Sequence, residues 1–306
     1  MGGILITGIA GSLARLTALA FQARGEEVIG VDYRPKPALH PPSIPFYQGN
    51  YNKTRFEDVV RKHRPDGIVH LGRVGNLKVR MGKRFDLNVV GSAKVQELAL
   101  KYGIDRLLVL STFHIYGAHP HNHIPIFEDE PLRAGTTFPQ IADAVQLDNM
   151  ASRWCYQHRE LRTIVIRPTN VIGPDIHNAV SRYLRSARLS YILGFSPMWQ
   201  FVHQTDLVDA LVTGYDSNEI GVFNVAGAGT IPILEALELT LKPTLPIPSV
   251  VATAMLKLQA ALRPTLPSYL VDFFKYPCVI SDEKFRKAVG YVPSVGIADS
   301  IRSTVR

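Results

Sequence analysis

Two cysteines, Cys155 and Cys278, are the only thiols in this chain of 306 residues, and both stand in apolar segments without CxxC spacing. That excludes a disulfide framework and implies buried free thiols in a reducing compartment. Long hydrophobic runs are missing too. The stretch from Ile247 to Leu262 is broken by Pro248 and Lys257 and falls short of the ~18 uncharged residues that a membrane span needs. No secretory signal is expected, because the apolar N-terminus already reads as a strand, so a cytoplasmic location is expected. Internal repeats and low-complexity tracts are also absent. The composition that remains is ordinary and globular, 46% hydrophobic, enough for one large or two modest domains.

Charge is the one bias. The net charge is +8, and Arg73, Lys78, Arg80, Lys83 and Arg84 crowd one segment. Such a cluster attracts an anionic ligand, nucleic acid or an acidic membrane surface. No aromatic residues are interleaved to stack bases. The segment therefore reads as a solvated basic face, and nucleic acid is not an expected partner.

The rest is arranged around Ile4 to Leu16, ILITGIAGSLARL. A short apolar run ends in Thr7-Gly8; Gly11 and Ala14 follow at three-residue steps, and apolar residues at helical spacing continue to Phe21. This reads as strand, tight glycine turn and helix N-terminus. Glycines remove the Cβ atoms that would hold the backbone off a pyrophosphate, and the free amides of the first helical turn point at the anion. Gly8, Ile9, Ala10, Gly11, Ser12 and Leu13 are thus candidate dinucleotide contacts. The next strand, Glu27 to Val31, ends in Asp32, which can accept from both ribose hydroxyls. Asp32 accepts from a free 2′-hydroxyl and repels a 2′-phosphate, so NAD is favoured, and Arg34 leaves NADP second.

Strands and helices then alternate. Phe46 to Gln48 reads as a third strand whose exit carries Asn50, placed at an adenine edge, and Tyr51. Helix 53–63 leads to strand 67–71, whose exit, Leu71-Gly72-Arg73, passes under the cofactor. Helix 85–102 carries Asn88. Strand 106–110 exits through Ser111 to Gly117, and helix 139–158 precedes strand 163–166, which ends near Pro168. This alternation predicts right-handed βαβ units: an α/β, Rossmann-type, doubly wound parallel sheet with helices on both faces. Phe201 to His203 and Val222 to Val225 are expected to extend the sheet. Helical spacing over 179–193, over 230–241 with Thr230 as N-cap, and over 250–262 suggests a smaller lobe over the strand ends. The expected division is 1–171 plus 200–226 for the dinucleotide domain, and 172–199 plus 227–306 for the substrate lobe.

Several motifs in this order resemble the extended short-chain dehydrogenases/reductases, also called the NAD-dependent epimerase/dehydratase family. They are Thr7 to Ala14, His70-Leu71-Gly72, Asn88 to Ser92, Ser111-Thr112 through Tyr116-Gly117, Arg167 to Pro174, Phe201 to Leu207, and Ser281 through Pro293. The resemblance implies NAD or NADP across the strand ends and a substrate under the C-terminal lobe. It also implies dimerisation through the helices at 85–102 and 139–158.

The departure from the family lies at its reaction centre. Members use a serine or threonine after the fifth strand and a Tyr-x-x-x-Lys pair on the next helix, one turn apart and so on one face. The lysine holds the nicotinamide ribose and lowers the tyrosine pKa for proton transfer. Thr112 matches the first position. Alignment through Pro139 and Asp148 puts Gln140 at the tyrosine position and Ala144 at the lysine position. No lysine lies between Tyr102 and Leu241, and no tyrosine between Tyr116 and Tyr156, so no register of the helix supplies the pair.

Other proton carriers are His114, which titrates near neutrality unaided, Tyr116, whose expected role is packing, and Asp143, expected on the helix surface. His119, His121 and His123 alternate in a long loop that reads as polar, and no metal site is assigned. Sugar-nucleotide enzymes of the family typically carry an arginine ahead of the Phe-Val-His segment, where this chain has Trp199-Gln200. Ile192, Leu193, Phe195, Met198, Trp199, Val250, Val251, Met255 and Leu256 suit a small, mostly apolar ligand, or form the lobe's own core. Two function classes stay open: a dinucleotide- or ligand-binding regulatory module, and an oxidoreductase or epimerase with a relocated acid or base.

Overall fold

The computed structural model describes residues 3–251 and 268–306. Its first six strands are β1 (Ile4–Thr7), β2 (Val28–Asp32), β3 (Phe46–Gln48), β4 (Gly67–His70), β5 (Arg106–Leu110) and β6 (Arg162–Pro168). After them come β7 (Asn170–Ile172), β8 (Leu189–Ile192), β9 (Met198–Trp199), β10 (Phe201–His203), β11 (Gly221–Val225), β12 (Ile231–Pro232) and β13 (Thr244–Ile247). The main sheet has seven strands in the order β11-β6-β5-β4-β1-β2-β3, all paired in parallel. Strand order reverses between β1 and β4. In such a doubly wound sheet, the crevice at the carboxyl ends of those strands is where ligands bind.

Helices cover both faces because the strands are apolar on both sides. On one face α1 (Ser12–Ala23) lays Ala14, Ala18 and Phe21 against Ile4, Ile6 and Val28. On the other, α2 (Thr54–His63), α3 (Met81–Phe85), α4 (Gly91–Lys101), α5 (Ala134–Thr137) and α6 (Ala142–Gln157) follow in chain order. There Phe56, Val95, Leu98, Leu147 and Ala151 pack on Leu5, Ile68 and Leu107. A five-residue π-helical turn, Asp86–Val90, joins α3 to α4 and carries Asn88 inward.

The chain closes with α7 (Ala179–Leu184), α8 (Gln204–Asp216), α9 (Ile233–Glu238), α10 (Glu283–Val289) and α11 (Ile297–Val305). Leu207 and Leu211 of α8 join the face of α1. Phe285 of α10, expected in the smaller lobe, packs there as well, its ring 5.8 Å from that of Phe223. Asp206 fixes the C-terminal segment by accepting from Ser294 N–H (3.0 Å), Ser294 Oγ (2.7 Å) and Val295 N–H (3.1 Å). Both cysteines are buried and free.

Three expectations about the C-terminal half are corrected. Of the two strands expected to extend the main sheet, β11 does so and β10 does not; β10 pairs with β7 in a separate ribbon. β11 already occupies the free edge of β6, and Thr169 N–H bonds Val225 O where the chain leaves the sheet. The helix expected over 179–193 stops at Leu184, because Leu189–Ile192 is drawn into a parallel pair with β13. Thr230 does not cap α9. Ile231 and Pro232 are held by β9, so the helix starts at Ile233 with Pro232 as its cap. Most of the segment expected at 250–262, with Met255 and Leu256, lies outside the described residues; Val250 and Val251 are exposed.

Candidate functional site

The turn after β1 depends on close backbone approach. Gly8 has φ +77°, and a Cβ there would stand 2.8 Å from Gly72 Cα. A Cβ on Gly72 would in turn stand 2.5 Å from Tyr51 Oη. Tyr51 is therefore buried beneath the turn as its floor; it does not line the crevice. Beside it, Thr7 Oγ1 accepts from Gly72 N–H (3.2 Å) and lies 2.7 Å from His70 Nδ1, while His70 Nε2 lies 2.7 Å from Ser92 Oγ. Both ring nitrogens of His70 are thus engaged by hydroxyls. Burial lowers the His70 pKa to about 4, so a neutral ring ties β1, β4 and α4 together. The sequence motif contains His70 but carries no sign of this relay, whose other members are distant in the chain.

Above that floor, Gly11 caps α1 without a side chain, which leaves the first-turn amides of α1, at Ser12 and Leu13, for an anion. Ala10 to Leu13 are half-buried along the crevice rim. Asp32 is fully buried where β2 ends and accepts from Ala10 N–H at 2.9 Å. Leu71, just past β4, and Pro168, at the end of β6, are buried at the carboxyl ends of their strands. Asn50 lies just past the exit of β3. Its amide leans on Asp86 Oδ2 (3.4 Å), as Asn52 leans on Asp86 Oδ1 (2.6 Å). An uncapped helix start, a glycine turn that a Cβ would fill and a buried acid after β2 together fit a dinucleotide.

Across the crevice the chemistry differs. Asp148 of α6 forms a bidentate buried pair with Arg167 of β6, with Nε to Oδ1 at 3.0 Å and Nη2 to Oδ2 at 2.6 Å. Arg167 also donates to Tyr116 Oη (2.7 Å), which donates to Asn224 Oδ1 (2.8 Å). Tyr116 is thus a packing residue, as expected. The pair also fixes the register of α6. One turn before Asp148, Ala144 is buried at 3% exposure, and Gln140 is exposed on the short 3-10 turn ahead of the helix.

Asp143 is not a surface residue. It is buried, accepts from Asn88 Nδ2 at 2.7 Å and pairs with Arg84 at 3.4 Å. Arg84 also donates to Gln140 O. Nor is the basic segment simply solvated: Arg84 is 3% exposed, and Arg73 Nε is buried without a partner among the described residues. Arg84 and Asn88 stand four residues apart on one continuous helix, so both side chains converge on Asp143. That spacing was the available signal. Asn88 further clamps the β4 exit, accepting from Val74 N–H (2.7 Å) and donating to Val74 O (3.1 Å).

Thr112 Oγ1 lies 3.0 Å from His114 Nδ1. The His114 ring is packed against Phe273 (4.9 Å) and Tyr269 (5.7 Å), and its Nε2 is buried without a partner among the described residues. Burial, with the nearby charge of Arg73, lowers its pKa to about 3. At neutral pH His114 therefore has no proton to donate as an imidazolium. Next to it, a cavity of about 30 Å³ is lined by Phe113, Tyr183, Met198, Trp199, Phe273 and Cys278 among others. Trp199 Nε1 donates to Phe273 O (3.0 Å), and the Gln200 amide exchanges two hydrogen bonds with the Ile280 backbone. Both residues thus tie β9 and its exit to the C-terminal segment, at the place where the sequence lacks the arginine typical of sugar-nucleotide enzymes. Ile192 is buried and Leu193 exposed. Among the described residues no three His, Cys, Asp or Glu side chains gather to hold a metal, and no helix is long and apolar enough to cross a membrane.

A model described as the NAD dependent epimerase/dehydratase family matches residues 4–226. Among curated proteins, an uncharacterised protein of Mycobacterium tuberculosis is 24% identical over 241 residues, 77% of this chain and 64% of that protein. The chain thus spans just under two thirds of that relative's length. The UDP-glucose 4-epimerase of Streptomyces lividans is 26% identical over 284 residues, 82% of this chain and 84% of its own. Among solved structures, MoeE5 in complex with UDP-glucuronic acid and NAD superposes with a TM-score of 0.79 at 18% identity, covering 99% of this chain and 98% of its own. The UDP-glucose 4-epimerase of Thermus thermophilus in complex with NAD gives 0.76 at 23% identity, covering 99% and 97%. At these identities the structural likeness is one of fold.

Proposed function

The chain belongs to the NAD dependent epimerase/dehydratase family, and from that membership we propose that it binds NAD(P) at the β1–α1 turn as a binding or regulatory module without Tyr/Lys hydride-transfer catalysis. One observation carries this reading. The Asp148–Arg167 pair ties α6 to β6, which supports reading Gln140 and Ala144 as standing at the family's tyrosine and lysine positions. Glutamine has no titrating proton, and alanine offers no ribose contact. The turn amides would hold the pyrophosphate, and Asp32 and Arg34 would meet the adenosine ribose. When bound, the nicotinamide would supply a hydride donor or acceptor; the residues facing it offer Thr112 and a neutral His114.

A second reading is an oxidoreductase or epimerase acting on a mostly apolar hydroxyl or keto substrate. The Thr112–His114 hydrogen bond at the exit of β5 favours it. A homodimer through the α3–α4 helix is supported by the exposed Met81, Phe85 and Val90.

The test binds NADH and NADPH, followed by their fluorescence, and then adds a panel of ketones and UDP-sugars. The expected outcome is saturable binding without turnover. Slow NADH oxidation by the parent, unchanged by Gln140→Tyr with Ala144→Lys, would overturn the binding-module reading in favour of the second.

A further inference from the structure

Buried side-chain groups without a partner collect at the exits of β4 and β5, which are neighbours in the sheet. Arg73, three residues past β4, is half-buried, and its Nε is fully buried with no partner among the described residues. Arg84 Nε is in the same state. Arg84 spends its Nη2 on Gln140 O, Met81 Sδ (3.2 Å) and Asp143 Oδ1 (3.4 Å), yet that carboxylate oxygen has no hydrogen bond of its own among the described residues. Past β5, Ser111 Oγ and His114 Nε2 are unpartnered as well. Tyr269 joins these groups. Its ring stands 5.7 Å from that of His114, and the charges of Arg73, Arg84 and Asp143 all act on its hydroxyl. The field of Arg73 also reaches Asp143, Arg84 and His114. Two cations thus share one anion, Asp143, whose other oxygen already accepts from Asn88 at 2.7 Å. One positive charge is left over, with bare N–H donors.

We propose that Arg73 and Arg84 form an oxyanion site at the exits of β4 and β5, so that the ligand of the crevice carries a carboxylate or phosphate group. The proposal rests on the ligand-binding reading and deepens it by naming the ligand's chemistry. A buried cation is costly unless it is paired, and a bound anion pairs this one. An oxyanion presents acceptors only, which suits two guanidinium Nε–H groups, and such charge-assisted bonds are the strong ones. Asp143 alone cannot balance both arginines, so it orients Arg84 and leaves the surplus charge for the ligand. The site is made of side chains from the β4 exit and α3, not of the turn amides that would hold a pyrophosphate.

Nuclear magnetic resonance of the histidine rings in the intact protein tests this, with the His114 signal assigned by its loss in His114→Asn. Sodium acetate or inorganic phosphate replaces chloride at constant ionic strength. A saturable shift of the His114 signal is expected from at least one of the two, and the tighter binder identifies the ligand's group as carboxylate or phosphate. Arg73→Met should weaken this binding at least about tenfold, the equivalent of one charge-assisted hydrogen bond. It should leave the melting temperature unchanged or raise it, because an unpaired buried cation is removed, and Arg73→Lys should restore part of the binding. Lys78→Met, exposed in the same basic run, should change nothing. The shift should persist in protein saturated with NADH, as judged by its fluorescence. No saturable shift with either anion, a shift that survives Arg73→Met or is weakened equally by Lys78→Met, or displacement of the anion by NADH overturns the proposal, while NADH fluorescence reports the dinucleotide reading separately. An Arg73-dependent shift in a protein that binds no NADH keeps this site and overturns the dinucleotide reading.

Discussion

The turn under β1 and the crevice between β5 and α6 are both lined with buried polar groups, yet they spend them differently. Under β1 the groups satisfy one another below the backbone: Thr7, His70 and Ser92 form a floor, and the amides above it stay open to a ligand. Beside α6 the groups close on each other. Asp143 takes Asn88 and Arg84, and Asp148 takes Arg167. A phosphate cradle is a backbone device and survives changes of side chain, as long as its glycines remain. A proton relay is made of side chains alone, and on our proposal its two positions hold an exposed glutamine and a buried alanine.

Breaking the α6 side should cost the most. Asp148→Ala leaves Arg167 as an unpaired buried cation and should destabilise by about 3–5 kcal/mol, read from the urea midpoint; a loss below about 1 kcal/mol would show that the pair does not fix the register of α6. Gly8→Ala adds a Cβ against the Gly72 backbone at a φ that favours glycine. It should cost about 2–4 kcal/mol and abolish dinucleotide binding, a defect that Asp148→Ala should not share. Binding retained in Gly8→Ala would erase the contrast between the two regions.

Acid sharpens the comparison, because each region buries one neutral histidine. With folded pKa values of about 4 for His70 and about 3 for His114, against about 6.5 unfolded, the unfolded chain binds more protons below pH 6.5. Stability from these groups is therefore full above that pH and falls as the pH drops toward 4. The slope is about 1.4 kcal/mol per pH unit for each histidine. Melting curves of the parent and of His114→Asn across this window should differ in slope; parallel curves would show that His114 is solvated. Gln140→Tyr should have the smallest effect, within about 0.5 kcal/mol, because position 140 is exposed. A larger loss would place Gln140 in the packed part of the crevice.

Much of the first region was legible in the sequence. Its signals are local: a short apolar strand, glycines at fixed offsets and an acid at the end of β2. The alignment that puts Gln140 and Ala144 at the tyrosine and lysine positions is a reading of the sequence, made through Pro139 and Asp148. What stayed hidden depends on partners distant in the chain. Arg84 looked like one of a run of solvated cations until α6 was packed beside it, and Asp143 looked like a surface acid for the same reason. Asn50, Asn88 and Tyr51 were read as cofactor contacts from their places after strands and on a helix; what the sequence did not show is that Asn50 meets Asp86, Asn88 meets Val74 and Asp143, and Tyr51 lies under Gly72. The β10 strand was recognised correctly, but its neighbour depends on which strand reaches the edge of β6 first.

The central claim is a cradle kept and a relay lost. Single-turnover mixing tests it most directly: the protein saturated with reduced dinucleotide, confirmed by its fluorescence, is mixed with ketones and UDP-sugars while nicotinamide absorbance is followed. The account predicts a bound dinucleotide whose absorbance does not change. A protein that shows no bound dinucleotide, or one whose bound dinucleotide is oxidised, would contradict it.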